Sequence, residues 1–529
     1  MKLFKPTEEQ KFIADIVKKH NKIKVNAFAG TGKTATIQFI AEEMPQARFL
    51  YLAFNKAAAE SAKQKFPKNV HISTIHGLAY KEMIISGLIK GAPRGELKPK
   101  EIIEAIDLDK YVSKIKNISL YSYAWLISSI LSNYFNSDYA ELTYDTIKKI
   151  VNYDEHIKHS IFIFKIDLED ILNATKEILV FMEKNNIITH NYYLKQFDIA
   201  LREAKVAEKV FSKFNVVALD EAQDTNPVSL SIFNKYMGKK IMVGDKHQQI
   251  YSWRGSMNAM EKFDYDVEGY LTLSFRVSKV IAEKATHVLK NYKFEDKILN
   301  SAQSEKPKGI KSTCYISRTN SGIVENIISI KDKIRNWITL RDPSEIFRVP
   351  LTVYDIINYT RSDGPKAPWL MGLTADNIKE YADDAVDYEV EGAYRLAMKY
   401  DIPELYNIAS KKYNKNKSKT PVVLSTAHTS KGLEWDKVVI LDDFADIPGA
   451  FIRSNIFSVE DFGVALKAEN TEAIAISEEI NTYYVALTRA KYEINDLSNT
   501  YLDMDMESFK EEMEKRKESF EAIKHSFDS

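Results

Sequence analysis

Four short apolar runs break off into polar turns: IKVNAFAGTGKT (23–34), FNVVALDEAQD (214–224), KKIMVGDKHQQIY (239–251) and PVVLSTAHTSKGLEW (421–435). A continuous rather than alternating run predicts a strand buried on both faces, as in a parallel sheet covered by helices. Polar, Gly-bearing or acidic residues just beyond the carboxyl ends of such strands mark where open α/β sheets bind ligands. Between the runs the period turns helical. Residues 96–210 are rich in Lys, Ile and Tyr and poor in Gly and Pro, and DLEDILNATKEILVFMEKN (167–185) carries apolar residues at helical spacing. The expectation is a helical insertion within the first α/β unit. A second insertion is expected over 336–415, with prolines at 343, 350, 365, 368 and 403 and a polar, basic end, KKYNKNKSKTP (411–421), that reads as a solvated linker. In the tail, Met506, Phe509, Met513, Phe520, Ile523 and Phe527 fall at helical spacing and predict a helix packed on its own protein.

At 529 residues the chain has room for roughly three or four domain-sized units. Charged residues make up 28% and apolar residues 45%, and 74 basic side chains balance 74 acidic ones. That composition excludes wholesale disorder, a collagen-like fibre and a disulfide scaffold. Cys314 is the single cysteine and can form no internal bridge, so nothing points to an oxidising compartment. MKLFKPTEEQ at the start lacks the apolar core of a signal peptide. The longest apolar stretches, such as AWLISSIL (124–131), fall short of the about 20 residues a membrane helix needs. There is no internal repeat. Neutral overall charge argues against an electrostatic coat protein but leaves room for a local basic groove.

AFAGTGKT carries the strongest local chemistry. Gly32-Lys33-Thr34 fits the end of the Walker phosphate loop, whereas Ala27 stands where its first glycine belongs. Gly30 and Gly32 let the backbone N–H groups from Ala29 through Thr31 to Thr34 curl around phosphate oxygens at the start of a helix. Lys33 would reach the β- and γ-phosphates and Thr34 would bind Mg²⁺. VVALDEAQD supplies the acidic strand: Asp220 to hold magnesium through water, Glu221 to orient and deprotonate the attacking water. A lone phosphate loop suits a kinase, a transporter subunit or a ring ATPase equally well. The third run narrows the choice, because Gln248 beyond its strand suits a γ-phosphate sensor, and Tyr251, Trp253 and Arg254 suit stacking against unpaired bases. Trp253 taken alone fits a core residue as readily.

Arg276, in LTLSFRVS, and Arg489, in NTYYVALTRAK, are candidates to neutralise charge developing on the γ-phosphate from another domain. Either alone would read as a surface ion-pair partner. In TAHTSKGLEW, Thr426 and His428 precede a Gly turn and could touch phosphate or base, and Glu434 could accept from ribose hydroxyls. A zinc site at His428 is set aside because no second His or Cys lies at ligand spacing.

Taken together the motifs resemble the UvrD-like superfamily 1 helicases, and are most similar to the helicase portion of the F-box DNA helicases. The matching pieces are TEEQ (7–10), FAGTGKT (28–34), FLYLAFNKAAAESAKQKFPKNVHISTIHGLAY (49–80), LDEAQDTNP (219–227), VGDKHQQIYSWRGSMNAM (243–260), LTLSFR (271–276), SRTN (317–320), STAHTSKGLEWDKVVILDDF (425–444) and YYVALTRAK (483–491), in the family's order. ITHNYYLKQF (188–197) and YDIPEL (400–405) also match the F-box branch.

The resemblance implies an α/β fold of two RecA-like P-loop NTPase motor domains, parallel sheets flanked by helices, each with an inserted, mainly helical subdomain. The expected division is 1–80 and 206–270 for motor domain 1A, 81–205 for insertion 1B, 271–335 and 416–502 for motor domain 2A, 336–415 for a small insertion 2B, and 503–529 for a charged C-terminal helix. It implies ATP- and Mg²⁺-driven 3′→5′ travel on single-stranded DNA and at junctions with duplex. Gln10 matches the adenine-reading glutamine and Phe275 the ring that stacks on adenine. Lys33, Thr34, Asp220, Glu221, Gln248, Arg276, Glu434 and Arg489 match nucleotide-site positions. Phe54, Asn55, His76, Trp253 and His428 match positions along the DNA path. No F-box precedes Thr7, so ubiquitin-ligase docking is not expected, and no nuclease-like region is expected.

The expected protein is a monomer of the cytoplasm or nucleoid of a bacterial or virus-infected cell, with recombinase or replication proteins as candidate partners. A translocase that strips proteins from DNA, a nucleotide-gated binding module and an RNA substrate remain open. Repair, recombination and replication are all compatible.

Overall fold

The computed structural model describes residues 5–116, 118–250, 259–303, 309–370, 373–379, 381, 388–413 and 422–527. All four apolar runs form strands that sit in two parallel sheets. The first sheet contains β1 (Lys22–Ala27), β2 (Phe49–Ala53), β3 (Val70–Thr74), β4 (Val216–Leu219), β5 (Lys239–Gly244) and β6 (Val267–Leu271), in the order β3-β2-β4-β5-β1-β6. A two-stranded pair, β7 (Leu273–Ser274) with β8 (Asn300–Ser301), follows. The second sheet contains β9 (Thr313–Ser317), β10 (Trp337–Thr339), β11 (Val422–Thr426), β12 (Trp435–Ile440) and β13 (Ala490–Asp496), in the order β10-β11-β9-β12-β13.

Successive side chains of a strand point to opposite faces, and here both faces are covered. Phe49, Tyr51 and Ala53 pack with Val216, Ala218, Ile241 and Val243 in one core. Leu50 and Leu52 pack with Val217, Leu219 and Met242 in the other. This double burial is why the strands read as unbroken apolar runs. Each fully buried Leu, Ile or Phe side chain contributes about 1.5–3 kcal/mol.

Helices fill the interval between β3 and β4, from Pro99–Ala105 through Leu120–Asn136 and Leu168–Lys184 to Ala204–Phe211. Those of the insertion close on a core of their own, built around Tyr123, Ile127, Ile130, Ile147, Ile171 and Ile178. The second insertion differs. Its Phe347, Leu351, Leu370, Val390 and Leu405 share one core with Ile323, Ile327, Trp337 and Leu424, so it covers a face of the second sheet. The two insertions also meet: the Trp125 and Trp369 rings lie 5.7 Å apart, and His156 Nδ1 lies 3.2 Å from the Tyr381 hydroxyl.

Two expected boundaries move. Trp337–Thr339 was expected inside the second insertion, but pairs with Val422–Leu424 as a sheet strand. Leu271 was expected to open motor domain 2A, but pairs with Ala27 at the edge of the first sheet. The tail forms the helix Met506–Phe527, with Phe509 and Met513 buried in the second lobe's core. The expected linker at 411–421 lies almost wholly outside the described residues. Among the described residues no helix is long and apolar enough to cross a membrane.

Asp443, just beyond β12, ties the end of β9 in place. It accepts from Ser317 Oγ at 2.6 Å, Arg318 N at 2.9 Å, and Thr319 N and Oγ1 at 2.8 Å. Asp443→Ala leaves these donors without their acceptor, and is expected to lower the unfolding free energy by about 2–3 kcal/mol in a urea titration. A loss below about 0.5 kcal/mol would show that water replaces the carboxylate.

Candidate functional site

β1 delivers the chain into the loop Phe28–Gly32 ahead of the helix Lys33–Glu43. Gly30 and Gly32 have φ of +74° and +86°, the left-handed region that L side chains avoid. Ala27 lies in β1, paired with Leu271, and has no positive φ. A glycine is therefore not required where the Walker pattern places its first one. Gly30 also faces the second lobe: a Cβ there would lie 2.5 Å from Arg276 Cβ and 2.7 Å from Ser274 Oγ. Phe28 and Ala29 are themselves buried in the second lobe's core.

Lys33 Nζ lies 3.2 Å from Glu221 Oε2. Burial pushes Lys33 down, but the carboxylates of Glu221, Asp245 and Asp220 outweigh it and keep the ammonium charged. Burial would likewise raise Glu221, but Lys33 and Lys431 outweigh it and hold Glu221 at about 2. Asp220 goes the other way, raised by burial and by the neighbouring Glu221. Asp220 Oδ2 accepts from Thr34 Oγ1 at 2.9 Å and from the Tyr51 hydroxyl at 2.5 Å. Glu221 takes φ +52°, a strained conformation of the kind found at functional sites. Thr34 and Asp220 offer one hydroxyl and one carboxyl, a sparse donor set that suits Mg²⁺, which keeps most of its waters. Among the described residues no group of three or more His, Cys, Asp or Glu forms a denser metal site.

A hydrogen-bonded chain leaves this site and crosses between the lobes. Gln223 Nε2 donates to Glu221 Oε2 at 2.7 Å, and Gln223 Oε1 accepts from Asp245 N at 3.0 Å. Asp245 Oδ2 accepts from Gln248 Nε2 at 2.7 Å, and Gln248 Oε1 accepts from Arg489 Nη2 at 3.2 Å. Arg489 is only 1% exposed, and burial together with the charge of Arg276 brings it down to about 9, still cationic at neutral pH. A second crossing is ionic: Lys431 Nζ lies 2.6 Å from Asp224 Oδ1 and also donates to Gln248 O. Arg276 Nε donates to Glu434 Oε2 at 2.9 Å, and Lys491 Nζ holds Glu434 Oε1 at 2.7 Å. Burial would raise Glu434, but Lys491 and Arg276 hold it below the usual carboxylate range.

Gln10 sits behind the phosphate loop. Its Oε1 accepts from Thr7 N and its Nε2 donates to Thr36 Oγ1, both at 3.0 Å. Phe275 is 50% exposed, and its N–H donates to Gly30 O at 2.9 Å. The residues read as strand contacts follow other strand ends. Phe54, beyond β2, is 48% exposed. Asn55 caps the helix Lys56–Lys63 by accepting from Ala58 N at 2.8 Å. His76, beyond β3, meets the Tyr193 ring edge-on, and burial lowers its pKa, favouring the neutral imidazole. Thr426 is buried and caps the turn Ala427–Ser430, and His428 Nε2 lies 2.8 Å from Ile250 O. Tyr251, Trp253 and Arg254 lie outside the described residues.

Sequence reasoning gave no role to Tyr51, Gln223, Asp224, Asp245, Lys431 or Tyr484, all of which hold this network. Gln223 and Asp224 stand in the same DEAQD turn as the expected acids, and Lys431 directly precedes Gly432, whose φ is +82°. Those positions were the available signal.

Residues 7–268 match the UvrD/REP helicase N-terminal domain, and residues 373–495 the UvrD-like helicase C-terminal domain. F-box DNA helicase 1 of Gallus gallus is 28% identical over 513 residues, covering 92% of this chain and 48% of that protein. F-box DNA helicase protein 1 of Schizosaccharomyces pombe is 28% identical over 525 residues, covering 92% and 56%. A probable DNA helicase II homolog of Mycoplasma genitalium is 23% identical over 376 residues, covering 64% and 51%. The chain thus spans about half the length of the curated relatives it matches.

Gly30→Ala is expected to weaken binding of a fluorescent ATP analogue by at least about tenfold, because φ and the Arg276 contact both reject a Cβ. Binding as tight as wild type would show that the loop yields freely. Burial raises Asp224 to about 6 against the opposing pull of Lys431. Its folded value exceeds the unfolded one, so the Lys431 ion pair is complete only well above pH 6, half formed near it and lost as pH falls through it. Nucleotide-hydrolysis rates should carry an acid limb near pH 6, and Asp224→Asn should remove that limb while matching the low-pH wild-type rate.

Proposed function

The chain belongs to the UvrD-like helicase family, and from that membership we propose that it is an ATP-driven DNA helicase or translocase moving 3′→5′ on single-stranded DNA. The observation that carries the reading is the hydrogen-bonded chain from Lys33 and Glu221 in one lobe to Arg489 in the other. A phosphate loop with a water-activating acid, wired to an arginine on a second lobe, suits a motor in which nucleotide turnover moves one lobe against the other.

In this reading the lobes are motor domains 1A and 2A, and the two helical inserts are 1B and 2B. The loop amides and Lys33 bind the β- and γ-phosphates. Thr34 and Asp220 would hold Mg²⁺, which would supply neutralisation of phosphate charge. Glu221, ionised at neutral pH, orients a water and takes its proton. Gln248 reports the γ-phosphate to Arg489, and Arg276 and Arg489 neutralise the charge that develops there. Gln10 and Phe275 recognise and stack on the base, and Glu434 serves the ribose. Phe54, Asn55, His76, Thr426 and His428 line the strand path, a role also expected from the sequence for Tyr251, Trp253 and Arg254. Stacking of a base on an aromatic ring contributes about 1–3 kcal/mol, and opening a base-pair step costs about 1.4 kcal/mol on average. Grip and unwinding thus fall in the same range. Repair, recombination and replication are the settings that suit such a motor.

Lys33→Ala is expected to lower DNA-stimulated ATP hydrolysis at least about 100-fold. Wild-type hydrolysis by that variant would remove the site assignment. Duplexes with 3′ or 5′ tails test polarity: strand separation should need the 3′ tail. Displacement of bound protein without strand separation would instead identify a stripping translocase.

A further inference from the structure

The helix Thr471–Leu487 belongs to the second lobe and is clamped there by Glu479, which receives Arg318 Nε at 2.7 Å and Arg318 Nη2 at 2.6 Å. Farther along, the same helix lies against the loop after β5 in the first lobe. Asn481 Nδ2 donates to Gln249 O at 2.9 Å. Three residues on, the fully buried Tyr484 sends its hydroxyl into the nucleotide site. That hydroxyl donates to Asp245 Oδ2 at 3.3 Å and accepts from Ala29 N of the phosphate loop at 3.4 Å. Asp245 Oδ2 is the same atom that takes Gln248 Nε2 at 2.7 Å.

One side chain therefore joins three parts: the phosphate loop, the carboxylate that orients Gln248, and the second-lobe helix that leads to Arg489. Both of its hydrogen bonds are long, the O–H donor beyond its usual range of about 2.5–3.0 Å and the N–H donor beyond about 2.7–3.2 Å. A shift of a few tenths of an ångström along the helix would tighten or break them. Burial keeps the hydroxyl protonated and able to donate to the carboxylate.

We propose that Tyr484 is a positioning residue that couples the phosphate loop at Ala29 to Asp245, and thereby sets the orientation in which Gln248 meets Arg489. The proposal rests on the ATPase reading above and adds to it the group that carries loop position to the sensor.

The test is Tyr484→Phe in the full chain, with steady-state hydrolysis of ATP in the presence of single-stranded DNA. The phenylalanine keeps the ring in place and removes only the hydroxyl. We expect kcat to fall about tenfold while KM for ATP moves less than about twofold. Residues acting as one unit are not additive, so adding Tyr484→Phe to Gln248→Ala should slow the enzyme no further than Gln248→Ala alone. Tyr483→Phe is the control. Its hydroxyl is also buried, but donates to Asp496 inside the second lobe, and its loss should leave kcat within about twofold of wild type. Asp245→Asn supplies a second arm that preserves side-chain shape, and a similar loss of kcat is expected. The proposal is overturned if Tyr484→Phe turns over like wild type, if Tyr483→Phe slows the enzyme equally, or if the Tyr484 and Gln248 defects multiply. A wild-type chain whose hydrolysis ignores DNA would overturn the underlying reading instead.

Discussion

A guanidinium withdrawn from water persists only if its donors are matched, and that requirement governs how the two lobes meet. Arg489 donates to Val485 O at 2.9 Å, Thr488 Oγ1 at 3.1 Å and Leu433 O at 3.4 Å within its own lobe. Its remaining partner, Gln248, belongs to the other lobe. Separating the lobes with nothing in exchange would strand a buried charge-assisted hydrogen bond, which costs more than a neutral one. The seam between the two sheets is thus set by hydrogen-bond satisfaction as much as by apolar packing. The burial of Phe28 and Ala29 in the second lobe's core adds the apolar share.

Among the described residues, contact between the lobes includes two separated places of different chemistry. One is the polar seam around Arg489, Tyr484 and Lys431. The other is the aromatic meeting of the insertions at Trp125, Trp369, His156 and Tyr381. Two regions of contact of different chemistry restrict how one lobe can turn against the other. The polar seam responds to charge and proton state, as the raised value of Asp224 illustrates, whereas the aromatic one depends on shape.

Much of this was legible in the sequence because it is local. A strand buried on both faces writes itself as an apolar run, and several of the candidate site residues follow such a run within a few positions: Lys33 after β1, Asp220 and Glu221 after β4, Gln248 after β5. The strand Trp337–Thr339 was missed because three residues carry no period, and it lies beside proline-rich helices. Tyr51 stands inside the matching piece that begins FLYLAFNK and was given no role of its own, yet its hydroxyl reaches Asp220. Lys431 with Asp224, and Tyr484 with Asp245, are more than 200 positions apart in the chain. No spacing rule joins residues that only the meeting of two sheets brings together. The stretch with Tyr251, Trp253 and Arg254 was the clearest aromatic signal for a strand path, and it lies outside the described residues.

The pairing of Lys33 with Glu221 and of Arg276 with Glu434 has a kinetic meaning. Neither cation is bare, so in the motor proposed above an incoming polyanion would displace a resident carboxylate, and the net attraction would be the difference between the two. Afterwards the carboxylates would compete for the same cations, which in that motor would speed expulsion of spent phosphate and ADP. Internal competition of this kind trades tightness for turnover, the compromise a cyclic machine requires if it is not to stall on its own product.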